Sequence, residues 1–304
     1  KLQLILTGGF VLGLCNALIA VPVAPPSTSK AATENKKQSH KTEAPNAQRK
    51  NISPTRPKTA SKNSRKKPEQ KEKILITIDG GSATKKSPIA KSLSEKFDFI
   101  YLESGAIYRT VAYVLSKHKI DPKPENKQKI EDFLKNAPWK VTIKNRHACF
   151  IVDGEILSDK ELRSDQLNAT VALYSSQFES VQNFCSKIAR KALDYVESEG
   201  FKGLIAEGRT CGTKTFPEAD LKFWFNASAE AKIDFRLGEE KEVDDPLKRD
   251  ALDKASIFAP LKEPKNAVRI WTYNRSLAEN IRLVSALIEQ KLDEKNELAK
   301  LTKK

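Results

Sequence analysis

The sequence predicts an α/β fold, a parallel sheet covered by helices on both faces, and three observations carry that expectation. The run "ILITI", Ile74 to Ile78, is apolar and rich in β-branched residues without alternation, as in a strand buried on both faces. It ends at Asp79 and Gly80, and the following "SPIAKSLSEKF" places Ile89, Leu93 and Phe97 at helical spacing. The same strand-then-helix order then recurs along the chain, which calls for a sheet with helices packed on it.

Taken in order, Pro88 falls in the first turn of the first helix, where a missing N–H costs nothing. "FIYL" reads as a short strand and "GAIYRTVAYVLSKH" as a helix. "WKVTI", "ACFIV" and "EIL" read as short antiparallel strands around a turn at Asp153 and Gly154. A long helical region covers 162 to 199, and "GLIAEG" and "LKFWFNAS" are two further apolar strands. "EAKIDFRL", "PLKRDALDKAS" and "SLAENIRLVSALIEQKL" are helical, with "AVRIW" a late strand. In such a fold ligands sit at the carboxyl ends of the strands, so the loop after Asp79 is the expected site.

At 304 residues and 39% apolar content the chain can fill a substantial core. Its formal charge of +15 suggests a nucleic-acid binder until the charge is located. Residues 30 to 73 hold 14 Lys and Arg against 4 Glu, a net of +10; Lys1 adds one, leaving about +4 for residues 74 to 304. The basicity therefore belongs to a tail and not to a domain face. Residues 27–73 have almost no large apolar residue and are expected to be a disordered basic linker. Such a segment is a solvated tether, a targeting element, or an arm that docks on an anionic membrane surface, RNA or a protein partner. Ahead of it, residues 1–26 carry one Lys and then no charge, as in a signal peptide or signal-anchor segment. Together they point to a membrane-associated, exported or organellar location, with residues 74–304 as the folded domain.

Cys15, Cys149, Cys185 and Cys211 have no paired spacing, and His40, His118 and His147 form no metal or triad pattern, so neither a zinc site nor a disulfide framework is expected. The three Trp make no stacking platform for single-stranded nucleic acid.

Four segments in the right order, "ITIDG", "YLESGAIYR", "EGRTCGTKTFPEADLKFWFNAS" and "APLKEP", carry a specific resemblance. Over 74 to 290 the chain resembles a bacterial-type cytidylate kinase of the nucleoside monophosphate kinase group. The resemblance implies a P-loop three-layer α/β fold with a small NMP-binding insertion and a lid that is short here between Arg236 and Arg249. It also implies transfer of the γ-phosphoryl group of ATP to CMP or dCMP with Mg²⁺. That chemistry needs backbone N–H groups and a Lys around the donor phosphates, and cations that neutralise the moving charge.

Set beside the family pattern, the loop Gly80, Gly81, Ser82, Ala83, Thr84, Lys85, Lys86, Ser87, Pro88 keeps only the first of four glycines. Lys85 stands before the catalytic-type Lys86 where a Cβ is expected to crowd the phosphates or demand a left-handed backbone costing about 1–2 kcal/mol. Ser87 restores the Lys-Ser pair of ordinary phosphate loops, whose hydroxyl can contact Mg²⁺. On the acceptor side Ser104, Arg109 and Arg209 match, and Glu103 replaces an Asp; Thr210 stands for an Asp, and Gln182 stands near where the family has a phosphate-binding Arg. In the lid Arg249 and Asp253 match, while Leu252 and Ser256 replace arginines that stabilise the transferring group. These losses imply an impaired, binding-type member, the alternative being an active divergent kinase that uses Lys85, Lys86 and Ser87. The plainer reading of the retained residues also stands: Lys86 as a solvated helix-start Lys, Asp79 and Glu207 as carboxylates bonding loop backbone, Arg109 and Arg209 as ion-pair partners, Tyr108 and Phe216 as packing.

Overall fold

The computed structural model describes residues 73–237 and 245–302. The leader, most of the basic linker and the centre of the lid segment lie outside the described residues. Strand β1 is Ile74–Gly80 and helix α1 Lys86–Phe97; β2 (Phe99–Glu103) and α2 (Ser104–Lys117) follow. Helix α3 (Lys127–Asn136) leads to β3 (Lys140–Lys144), β4 (His147–Val152) and β5 (Glu155–Ile156). Helices α4 (Asp159–Leu162), α5 (Asp165–Gln177), α6 (Glu179–Arg190) and α7 (Ala192–Ser198) precede β6 (Gly203–Gly208). The chain continues through β7 (Leu221–Asn226), α8 (Ala229–Leu237), α9 (Pro246–Lys254), β8 (Val268–Trp271) and α10 (Leu277–Thr302).

The strands form one sheet in the order β3-β4-β2-β6-β1-β7-β8, with β5 on β4. From β4 to β8 every neighbouring pair is parallel, and the β3–β4–β5 edge is antiparallel around Asp153 and Gly154. β1 is central, which accounts for its unalternated apolar run. Ile74, Ile76 and Ile78 pack with Ile89 and Leu93 of α1 and Val284 and Ile288 of α10. The opposite face buries Ile100, Leu102, Leu204 and Ala206 against α2 and α6. Two cores, one on each side of one sheet, give the three layers.

The region from 162 to 199 is not one helix. Phe178 breaks it with an extended backbone (φ −122°, ψ 109°) and is buried, so core packing of that ring overrides helical periodicity. Ser158 starts α4 through a reciprocal capping box with Glu161. Helix α3 was not legible as an element in the sequence; its buried Ile130 and Leu134 supply only one short apolar stripe. Among the described residues no helix is long and apolar enough to cross a membrane. Cys185 and Cys211 are buried, and burial pushes both thiols well above their ordinary range.

Candidate functional site

The site grows from the end of β1. Gly80 is required there because a Cβ on it would meet the carbonyl oxygen of Phe225 in β7 at 2.3 Å. The next residues turn back to start α1, and Ala83 (φ 52°) and Lys85 (φ 58°) both take the left-handed conformation. Each costs about 1–2 kcal/mol for an L-residue with a Cβ, so the phosphate-loop path persists although glycine is gone from both positions. Thr84 Oγ1 donates to the Gly81 carbonyl at 3.0 Å, and Lys86 Nζ donates to the same oxygen at 2.6 Å, which holds the strained turn closed. Among the described residues no acceptor pairs with the N–H groups of Ala83, Thr84 and Lys85, and α1 starts with neither a side-chain cap nor an acidic residue in its first turn. Open donors at a helix start are an anion site. Lys85 Nζ lies 5.9 Å from the centre of the Phe235 ring.

Below the loop the carboxylates divide the work. Asp79 is fully buried and accepts from the N–H groups of Cys211 and Gly212 at 2.8 and 2.6 Å, the backbone-bonding role that its place at a strand end suggests. Burial pushes its carboxyl up to about 6 against those two hydrogen bonds. Glu207, at the end of β6, bonds side chains instead: Ser87 Oγ at 2.9 Å and the Tyr101 hydroxyl at 3.1 Å. Burial, then the nearby Glu103 charge, raises its carboxyl. The Lys86 ammonium is pushed down to about 8, first by burial and then by the Arg209 charge.

On the acceptor wall Glu103 is gripped by Arg109 through two bonds of 3.1 Å and by Arg163 through two of 3.0 Å. Arg109 is thus an ion-pair partner here, with its Nε buried and unbonded. Ser104 lies beside this pair at the start of α2. Gln182 is committed elsewhere: its Oε1 accepts from the Tyr108 hydroxyl at 2.6 Å and its Nε2 donates to the Ser175 carbonyl at 2.8 Å. Phe216 is fully buried packing, whereas Tyr108 packs and also bonds.

The lid side closes the loop. Arg209 donates to Asp250 Oδ1 at 2.9 Å and to Ser82 Oγ at 2.7 Å, and stands 2.5 Å from Asp253 Oδ2. Lys232 Nζ reaches Asp250 Oδ2 at 2.7 Å, and the Ser82 N–H donates to Asp250 Oδ1 at 2.7 Å. Burial opposes ionisation of Asp250, yet Lys232, the Ser82 N–H and Arg209 hold its carboxyl below the usual range. Arg249, Leu252 and Ser256 line the same cavity, and Leu252, 56% exposed, is a hydrocarbon side chain that brings no charge to it.

Loop, acceptor wall and lid helix together line an open cleft of about 1670 Å³, beyond the ~300–1,000 Å³ of a usual single-ligand pocket. Every site residue expected from the sequence reaches this cavity or its immediate support. Arg163, Lys232 and Asp250 were not anticipated. For Asp250 a signal existed, since its i, i+3 spacing from Asp253 puts both carboxylates on one face of α9.

Ala83→Gly is expected to raise stability by about 0.5–1 kcal/mol, the left-handed penalty less the greater unfolded-state freedom of glycine. The urea midpoint reads it, and an unchanged or lowered midpoint would show that the turn is unstrained.

A family model described as cytidylate kinase matches residues 76–290. The cytidylate kinase of Clostridium tetani (strain Massachusetts / E88) is 31% identical over 227 residues, covering 71% of this chain and 94% of that protein. That of Chlamydia felis (strain Fe/C-56) is 31% identical over 72% of this chain and all of its own length, and that of Aquifex aeolicus (strain VF5) 30% over 72% and 97%. These matches take in the sheet, the strained loop, the acceptor wall and the lid helix, and the chain belongs to the cytidylate kinase family.

Proposed function

We propose that the chain is a nucleotide-binding member of its family that holds ATP at the strained loop and CMP or dCMP against the acceptor wall, and that acts mainly by binding because phosphoryl transfer is slow. One observation carries the reading: the left-handed turns at Ala83 and Lys85 are kept at an energetic cost, with the loop N–H donors open beside Lys86. Strain of this kind persists where something depends on it. Mg²⁺ fits the residues present, because Ser87 Oγ and Glu207 Oε1 set two hard oxygen atoms together 2.9 Å apart at the foot of the loop. Ser87 and Glu207 would hold the ion, which when bound neutralises charge on the donor phosphates. Transfer is slowed because Leu252 and Ser256 stand where the family resemblance implies arginines, and Gln182 is a buried neutral amide. Cations of that kind are worth about 10³–10⁵ in rate.

The presence of Lys86 and of the Ser87–Glu207 pair favours the second reading, an active divergent kinase. Calorimetry with ATP–Mg²⁺ and CMP or dCMP, beside continuous measurement of ADP release, separates the two. Binding of both nucleotides with turnover at least about 10³ below the usual ~1–100 s⁻¹ of kinases is expected. Turnover inside that range, abolished in Lys86→Ala, would establish the active kinase instead.

The pH dependence follows from Lys86. Its folded pKa of about 8 lies below the ordinary 10.5, so between those values the folded chain holds fewer protons than the unfolded one. Stability therefore rises with pH through that window, while phosphate affinity, which needs the ammonium, falls. ATP–Mg²⁺ should bind about tenfold more weakly at pH 9 than at pH 7, as the protonated fraction drops. Equal affinity at both values would remove Lys86 from the phosphate site.

We further propose that the leader and the +10 segment tether the domain to an anionic membrane surface or deliver it to an exported or organellar compartment. Retention of the full chain on anionic vesicles should fall steeply with added salt, and salt-insensitive retention would exclude an electrostatic arm.

A further inference from the structure

The loop is already partly occupied, by the protein itself. Asp250 is 4% exposed, and its carboxylate takes one loop N–H (Ser82, 2.7 Å), one guanidinium (Arg209, 2.9 Å) and one ammonium (Lys232, 2.7 Å). A backbone N–H with two cations is the donor set that a phosphate loop offers to a phosphoryl oxygen. The carboxylate also sits tight against the turn, since a Cβ on Gly81 would meet Asp250 Oδ2 at 2.4 Å and Lys232 Nζ at 2.9 Å. By contrast, the N–H groups of Ala83, Thr84 and Lys85 have no acceptor among the described residues. The loop thus divides into a corner at Ser82 that is filled and a run toward α1 that is open.

Resting on the nucleotide-binding reading above, we infer that Asp250 is an internal stand-in for the terminal phosphoryl group of the donor, and so determines which donor nucleotides the site accepts. A diphosphate occupies the open run beside Lys86 and leaves Asp250 in place. A triphosphate must evict the carboxylate from Ser82, Arg209 and Lys232, and those three donors then pass to its terminal phosphoryl oxygens. Because Asp250 rides on α9, eviction also loosens that helix from the loop, leaving Asp253 on Arg209 as a remaining tie, so that α9 responds to the third phosphate and not to the nucleoside. No bond to phosphorus forms or breaks in this exchange; one anion replaces another on the same donors.

The test uses the full chain and its Asp250→Asn variant, titrated with ATP–Mg²⁺ and with ADP–Mg²⁺ in a calorimeter. The amide keeps the shape and one acceptor but loses the charge that competes with phosphate. ATP should tighten about tenfold, as removal of an internal competitor that blocks nine molecules in ten requires, while ADP should stay within about twofold. An ATP-to-ADP affinity ratio that does not rise, with ADP still binding, overturns the inference and leaves the nucleotide-binding reading standing. If neither nucleotide binds either protein, that reading fails and this one with it. Should the variant not fold, the Ser82 amide proton resonance of the unaltered chain decides the matter. A shift on adding ATP–Mg²⁺ but not ADP–Mg²⁺ supports displacement, and equal shifts or none refute it.

Discussion

The whole site hangs on one buried charge. Asp79 ends the central strand with no exposure to solvent, a placement that pushes its carboxyl up to about 6 and is offset by two backbone N–H groups. Those N–H groups belong to Cys211 and Gly212, in the five-residue turn that follows β6. The bond pair fastens the exit of β1 to the exit of β6, and everything chemical is built around those two exits. The loop leaves from one; Glu207 and Arg209 stand at the other. Release Asp79, and Lys86, Ser87, Glu207 and Arg209 no longer share a frame.

Within that frame the loop shows that a backbone path can outlast the residues that suit it. Glycine adopts the left-handed region freely, and Ala83 and Lys85 do not. They are held there by contacts that all converge on Gly81 and Ser82: the Thr84 hydroxyl, the Lys86 ammonium, the Asp250 carboxylate and Arg209. The network that grips the turn is the same one that handles charge, so shape and electrostatics there cannot be altered separately.

Much of this was legible in the letters, and for identifiable reasons. β1 and its loop announce themselves because a strand buried on both faces must be uniformly apolar and because the strand, loop and Lys come in fixed order. The left-handed backbone at Lys85 could be foreseen from the steric demand of the position alone. What could not be read is pairing at long range. Arg163 reaches Glu103 across 60 positions and Lys232 meets Asp250 across 18, and neither spacing leaves a periodic trace. Nor could the sequence say that Phe178, an ordinary apolar letter in a helical run, would be drawn into the core and bend the chain.

Gln182 carries a consequence for how this chain can change. Its two amide ends are satisfied by Tyr108 and Ser175 in a place with 4% exposure, so the neighbourhood has been fitted around a neutral residue. A guanidinium there would bring five donors to a place where the amide now uses one carbonyl and one hydroxyl, and both bonds would have to be remade. The arginine that the family resemblance implies near this position would therefore displace both amide bonds before it could serve a phosphate. Any change of charge at Gln182 is thus felt first at Tyr108 and Ser175, which lose their partner with it.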